Sequence, residues 1–207
     1  MGRRIVLLIV VMLQTVFVGA QYTANEKQAR RIFNHAYNQV FGEQGASLQY
    51  DINIVGIYKT SGSIWLKGKK QKFIDERVNT WNDCVTAYMA YRKKHEVLIH
   101  AANSDKKDKY SGKFKFELED FDYSIAEDGD LFLVTLKQKK KAKGTIKTVK
   151  AWLTKKDYEP VKLRIKVAFF WTTVKIHNFK SGGISDDIFV FPRSQYENWK
   201  FIDKRNE

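Results

Sequence analysis

The stretch "TWNDCVTAYMAYRKKHEV", residues 80–97, gathers the residue types of a thiol-based catalytic site. Cys84, the only cysteine of the chain, stands next to Asp83, and His95 and Glu96 follow one short strand later. A nucleophilic thiol needs a depressed pKa, supplied by a nearby cation or a helix start, and a base within hydrogen-bond reach. The immediate neighbour of Cys84 is instead a carboxylate, which opposes thiolate formation. The alternation Thr86-Tyr88-Ala90 marks a strand leaving an Asn82-Asp83 turn, so His95 is carried to its far end, beyond proton-transfer range. The stretch therefore reads as strand, turn, strand, basic turn, strand, with Cys84 an inert small side chain. His35, His95, His100 and His177 lie apart, without the clustered spacing of a zinc site. Gly-x-Ser-x-Gly, P-loop and dinucleotide glycine patterns do not occur, so nothing in the sequence asks for a cofactor or points to an enzyme.

The elements that would position these residues follow from hydrophobic periodicity. From Thr23 to Phe41 the apolar residues Ala29, Ile32, Phe33, Ala36, Tyr37, Val40 and Phe41 recur at helical spacing. Thr23 and Glu26 have capping-box spacing and Gly42 stands at the stop. Beyond Gly45 the period becomes two. In "LQYDINIVGIY", Leu48, Tyr50, Ile52, Ile54 and Tyr58 share one apolar face, which predicts one long strand. Alternation returns in Phe114-Phe116-Leu118, in Phe121-Tyr123-Ile125 after a one-residue slip, and in Val161-Leu163-Ile165-Val167, and a strand from Thr148 to Leu153 follows a lysine-rich hairpin tip. Turn signals stand at 61–63, 67–70, 127–130, 141–144 and 180–183. Roughly ten short strands result, joined mostly by hairpins, with a short helix or loop in "AANSDKKDKYSG".

One helix followed by many antiparallel strands predicts an α+β, mainly β fold. Its large curved antiparallel sheet, an incomplete barrel, is covered on the concave side by the N-terminal helix and a short helix or loop. One helix cannot shield so wide a sheet. Either the sheet closes on a filled interior, or it stays partly open and presents an apolar concavity.

The N-terminal "MGRRIVLLIVVMLQTVFVGA" has the layout of a cleavable secretory signal: two arginines, an apolar run, and a small-residue end with cleavage after Ala20. Residues 21–207 then form a single domain, and Gln21 at the cut gives no lipidation site. Arg3 and Arg4 carry two of the +14 formal charges, leaving +12 on the exported part. A lone cysteine makes no internal disulfide, so stability rests on apolar burial.

The order of "SGSIWLKGKKQKF", "WNDCVTAY", "HEV" and "DDIFVFPRSQYENWKFIDKR" resembles the LolA-like periplasmic carriers of outer-membrane lipoproteins, over nearly the whole exported chain. The positions matching the family pattern are Gly62, Trp65, Lys67 and Gly68; Trp81, Asp83, Thr86 and Tyr88; Glu96 and Val97; Phe189 and Phe191; and Asp203 and Arg205. The resemblance implies a half-barrel in the periplasm that holds lipoprotein acyl chains in a hydrophobic cavity. The implied partners are lipoproteins or lipid acyl chains, an inner-membrane donor and an outer-membrane acceptor, with transient membrane-surface contact. A monomer without a cofactor is expected, and nucleic acid is not expected as a partner, because an exported protein rarely meets it and the lysines cluster at turn tips without interleaved aromatics. By the same resemblance Asp83 is a turn residue and Tyr88 a wall residue.

Two positions depart from the pattern. Cys84 replaces the turn glycine, which predicts a looser turn or one of another type. Gly68 stands where the best-known carriers have an arginine that helps to hold the cavity closed, so that latch is absent or made differently.

The wall residues expected on the apolar face are Tyr50, Ile52, Ile54, Ile64, Leu66, Phe73, Trp81 and Tyr88. The plainer reading is that the same residues pack against the N-terminal helix. The six lysines between Leu136 and Lys147, and Lys67, Lys69, Lys70 and Lys72, mark basic turns. These suit anionic lipid surfaces or acidic partners, or serve only to keep edge strands apart. The alternative to a carrier is a non-enzymatic β-rich envelope module that recognises a protein or polysaccharide.

Overall fold

The structure, a computed structural model, describes residues 22–54, 58–104 and 117–206. Helix α1 spans Ala24–Phe41. Strands β1 (Ala46–Ile54), β2 (Tyr58–Lys67), β3 (Lys70–Asp75), β4 (Val78–Asn82), β5 (Thr86–Tyr91) and β6 (Glu96–Ala101) form a meander. β7 (Phe121–Asp128), β8 (Leu131–Gln138), β9 (Ile146–Thr154), β10 (Pro160–Val167) and β11 (Phe170–Ser181) form a second, and β12 (Lys200–Asp203) is the last of the described strands. All twelve belong to one open sheet in the order β12-β6-β5-β4-β3-β2-β1-β11-β10-β9-β8-β7. Every pairing is antiparallel except β12 on β6. The mainly β, partly open sheet with an N-terminal helix against it is the expected fold class. The leader at 1–20, residues 105–112 of the loop-or-helix segment, and Phe114 and Phe116 lie outside the described residues.

The helix forms where its caps and apolar stripe place it. Thr23 Oγ1 accepts from the Glu26 amide at 3.1 Å, and Ala29, Ile32, Phe33 and Ala36 are buried at helical spacing. Gly42 ends the helix in extended backbone, φ −71°, and not in the left-handed region. Glycine is required there because a Cβ would lie 2.3 Å from the Asn38 carbonyl oxygen, which accepts from the Gly42 amide at 2.8 Å.

Helix α1 packs chiefly on β7 and also touches β8, β1 and β2. Five strands separate β7 from β2 in the sheet, so this half must curl around the helix. Two side chains fasten the helix to β7, an edge strand. The Asn25 side-chain amide donates to Ile125 O at 2.8 Å and accepts from Ile125 N at 3.0 Å, standing in for a further strand where the edge would otherwise be bare. Arg30 donates to Phe121 O at 3.1 Å and lies 4.2 Å from the centre of the Tyr123 ring.

Two features differ from the sequence reading. The long strand predicted across residues 48–58 is two strands, because Ile54 pairs with Tyr58 and the chain reverses between them. The "SGS" at 61–63 is not a turn but the middle of β2. Gly62 pairs with Tyr50, whose ring occupies the space a side chain would take, so this glycine marks a close approach within a strand.

Candidate functional site: an apolar cavity under the helix

Directly paired residues of neighbouring strands share a face. Ile176, Tyr50 and Gly62 form one such row, Leu163, Val174 and Ile52 a second, and Leu48, Ile64 and Phe73 a third. These rows face α1. Between them and the C-terminal half of the helix lies a cavity of about 280 Å³, close to the lower end of the roughly 300–1,000 Å³ of small-molecule sites. Phe33, Ala36, Tyr37, Val40 and Phe41 form its roof. Leu153, Pro160 and Leu163 close one side, and Val174 and Ile176 the floor beside β1. Among the described residues no charged side chain lines it.

Of the residues expected on the wall, Tyr50, Ile52, Ile64, Leu66 and Phe73 line this cavity. The side chain of Ile54 lies outside the described residues. Trp81 and Tyr88 stand elsewhere. Trp81 pairs with Lys72 and Tyr88, a row on the face opposite Phe73. There Trp81, Ala90, Val97 and Tyr196 form a second buried cluster with Tyr88, Phe191, Trp199 and Phe201. The chain after β11 crosses this outer face through two short 3-10 turns, Asp186–Phe189 and Arg193–Tyr196. It stacks Phe191 on Tyr88 at 4.4 Å between ring centres and sets Trp81 edge-on to Phe191 at 5.3 Å. Lys67 and Lys70 anchor its start, each 3.1 Å from Asp186. These two ammonium groups hold the Asp186 carboxyl below its usual pKa.

The roof and floor residues Tyr37, Val174 and Ile176 are absent from the sequence-based wall. Their signal was present: Tyr37 belongs to the helical stripe, and Val174-Lys175-Ile176-His177 alternates. What the sequence lacked was the pairing of β11 with β1, which joins residues more than a hundred positions apart.

Tyr50, like Tyr37, carries a phenol among the described lining residues. Burial, with a smaller contribution from Asp75, pushes its hydroxyl up to about 12, against a lowering by Arg77. It therefore stays a neutral phenol at physiological pH, and the wall remains uncharged.

The thiol of the opening stretch is far from His95. Cys84 is exposed and lies ahead of β5, while His95 follows the 3-10 turn after β5, so the six-residue strand, roughly 20 Å long, separates them. Asp83 Oδ1 accepts from the amides of Val85 at 2.8 Å and Thr86 at 2.7 Å, and Asn82 Oδ1 accepts from the Cys84 amide at 3.0 Å. The turn keeps the left-handed geometry that glycine would favour: Cys84 has φ 79°. It is thus a tight turn carrying a strained residue, not the looser turn that the cysteine predicted. Gly68, at φ 54° with open space where a Cβ would stand, is a plain hairpin glycine between β2 and β3. Among the described residues no group of three His, Cys, Asp or Glu is placed to hold a metal ion.

A helix roofing the concave half of an open antiparallel sheet, over an apolar cavity, defines the architecture. No family model and no curated protein matches the sequence. Among solved structures, an uncharacterized conserved protein from Thermus thermophilus superposes with a TM-score of 0.56 at 6% identity, over 86% of this chain and 99% of that one. At that identity the likeness shows the fold alone. The lipoprotein LppX of Mycobacterium tuberculosis has a TM-score of 0.49 at 8% identity, covering 78% of this chain and 100% of its own. A LolA superfamily protein from Nitrosomonas europaea has a TM-score of 0.38 at 9% identity, over 80% and 98%. Both scores fall below 0.5 and add nothing to the fold assignment.

Proposed function

We propose that this protein is an exported carrier that shields the acyl chains of lipoproteins or lipids in the cavity beneath α1. The observation that carries the reading is the cavity itself: about 280 Å³ of space walled by aliphatic and aromatic side chains on one face of the sheet. A methylene transferred from water into such surroundings contributes roughly 0.8 kcal/mol, so a few buried methylenes hold a tail without covalent chemistry. The motif order shared with the LolA-like carriers supports the same reading. On it, residues 1–20 are removed after Ala20, residues 21–207 act as one monomeric domain in the periplasm, and cargo passes from an inner-membrane donor to an outer-membrane acceptor. The wall is Tyr50, Ile52, Ile64, Leu66 and Phe73; Trp81 and Tyr88 belong to the supporting outer face.

The test is mass spectrometry of lipid retained after native isolation, together with binding of a fluorescent fatty acid. Bound lipid that disappears in a folded Ile52→Asp variant supports the carrier. A protein that holds no lipid and ignores the probe would instead be a module recognising a protein or polysaccharide by its surface.

A further inference from the structure

The β10–β11 hairpin ends in a two-residue turn, Ala168-Phe169, between the paired Val167 and Phe170. Phe169 is 90% exposed and Phe170 58%. Ala168, at φ 50°, holds the left-handed backbone that a side chain disfavours. Scattered exposed apolar residues are ordinary; two adjacent phenylalanines held out on a strained turn are not.

The sheet brings a second feature to the same end. Val167 pairs with Ile146 at the start of β9, and the Ala168 amide donates to Thr145 O at 3.0 Å. The β8–β9 loop therefore lies against the hairpin tip. This loop carries Lys139, Lys140, Lys141 and Lys143, with Lys147 just inside β9, and all but Lys139 are exposed. Glu119 and Asp120 stand at the far side of the loop, where Lys139 meets the Glu119 carbonyl, so the cations outnumber the acids around the tip.

We infer that the Phe169–Phe170 tip and the lysine loop beside it form a docking site for an anionic lipid bilayer. Phenyl rings at the tip enter the boundary between headgroups and acyl chains, and the lysines stay among the anionic headgroups. A bilayer fits better than an acidic protein. A protein partner would need a shaped interface of roughly 1,000 Å² or more, whereas an exposed phenylalanine tip flanked by a lysine loop needs no shape complementarity. No helix among the described residues is long and apolar enough to cross a membrane, so contact through this tip is peripheral. Leu163 and Val174, on the same two strands, line the cavity, so docking would hold the cavity near the membrane. The inference does not depend on cargo being carried.

The experiment is co-sedimentation of the isolated protein with vesicles of phosphatidylcholine alone and of phosphatidylcholine with phosphatidylglycerol. Wild type should bind the anionic vesicles and not the neutral ones. Phe169→Ser/Phe170→Ser should weaken that binding about tenfold or more, and Lys140→Gln/Lys141→Gln/Lys143→Gln about fivefold per lysine. Circular dichroism checks that both variants fold; all five positions are exposed. Wild type and phenylalanine variant binding alike would overturn the site, including any binding due to the N-terminal apolar run. So would failure to bind anionic vesicles with retention on immobilised polyglutamate, which would assign the lysines to an acidic protein. Fatty-acid probe binding in both variants should match wild type, keeping this test separate from that of the carrier.

Discussion

Tyr50 lies across Gly62, its direct cross-strand partner: a Cβ at position 62 would stand 2.8 Å from the Tyr50 hydroxyl oxygen and 2.5 Å from the Ile74 carbonyl oxygen. The ring can swing away, but the carbonyl belongs to the β3 ladder. Gly62→Ala should therefore destabilise the protein by about 1–3 kcal/mol and displace Tyr50 into the cavity. Thermal unfolding gives the first effect and weakened fatty-acid probe binding the second. Gly62→Ala/Tyr50→Phe should recover part of the stability, since only the clash with the hydroxyl is relieved.

Tyr50 and Tyr123 both have hydroxyls pushed up to about 12, chiefly by burial. The unfolded chain releases these protons near pH 10 and the folded one only near pH 12. The unfolded state thus binds fewer protons across that window, and stability falls as pH rises through it. Below about pH 10 both states are protonated and the contribution is complete. Denaturant midpoints measured from about pH 9 to about pH 12 should fall less steeply in Tyr50→Phe/Tyr123→Phe, and ultraviolet titration of that variant should lose the late-titrating phenols.

Cys84 occupies φ 79° while Asn82 and Asp83 satisfy the surrounding amides. Cys84→Gly removes the side chain from a conformation it disfavours and should stabilise the protein by about 1 kcal/mol. Cys84→Val, β-branched at the same dihedral, should destabilise it. Melting temperatures that fall for glycine would show that the turn is not strained.

Trp81 is 3% exposed within the outer-face cluster. Trp81→Ala should cost about 3–5 kcal/mol through loss of the edge contacts with Phe191 and Tyr196. Trp81→Phe should cost less. Per folded molecule, probe affinity should be unchanged in Trp81→Phe, because the sheet stands between this side chain and the cavity. A large loss of affinity in that variant would contradict the assignment of faces.

Helix α1 was legible because its signals are local: a threonine cap, a stripe at a period of about 3.6 and a closing glycine all lie within one segment. Most strands were legible for the same reason. The exceptions are instructive. Gly62 looked like a turn because glycine usually marks one, whereas the reasons for it are the Ile74 carbonyl and the Tyr50 ring on the neighbouring strands. The Ile54–Tyr58 reversal was hidden because Ile54 and Tyr58 keep the even-numbered apolar spacing across it, although Gly56 interrupts the alternation between them.

What composition and period determined by themselves was the material of the fold: one amphipathic helix and many half-apolar strands. Only the tertiary structure decided which apolar residues meet. Cross-strand register turns Tyr50, Ile52, Ile64, Leu66 and Phe73 toward the helix and Trp81 and Tyr88 away from it, and a one-residue slip between strands reverses that choice. Register depends on pairings between distant segments, such as β1 with β11, and on the C-terminal crossing that covers the outer cluster. The cavity under α1 and the meeting of the phenylalanine tip with the lysine loop arise from those long-range pairings, which no local pattern contains.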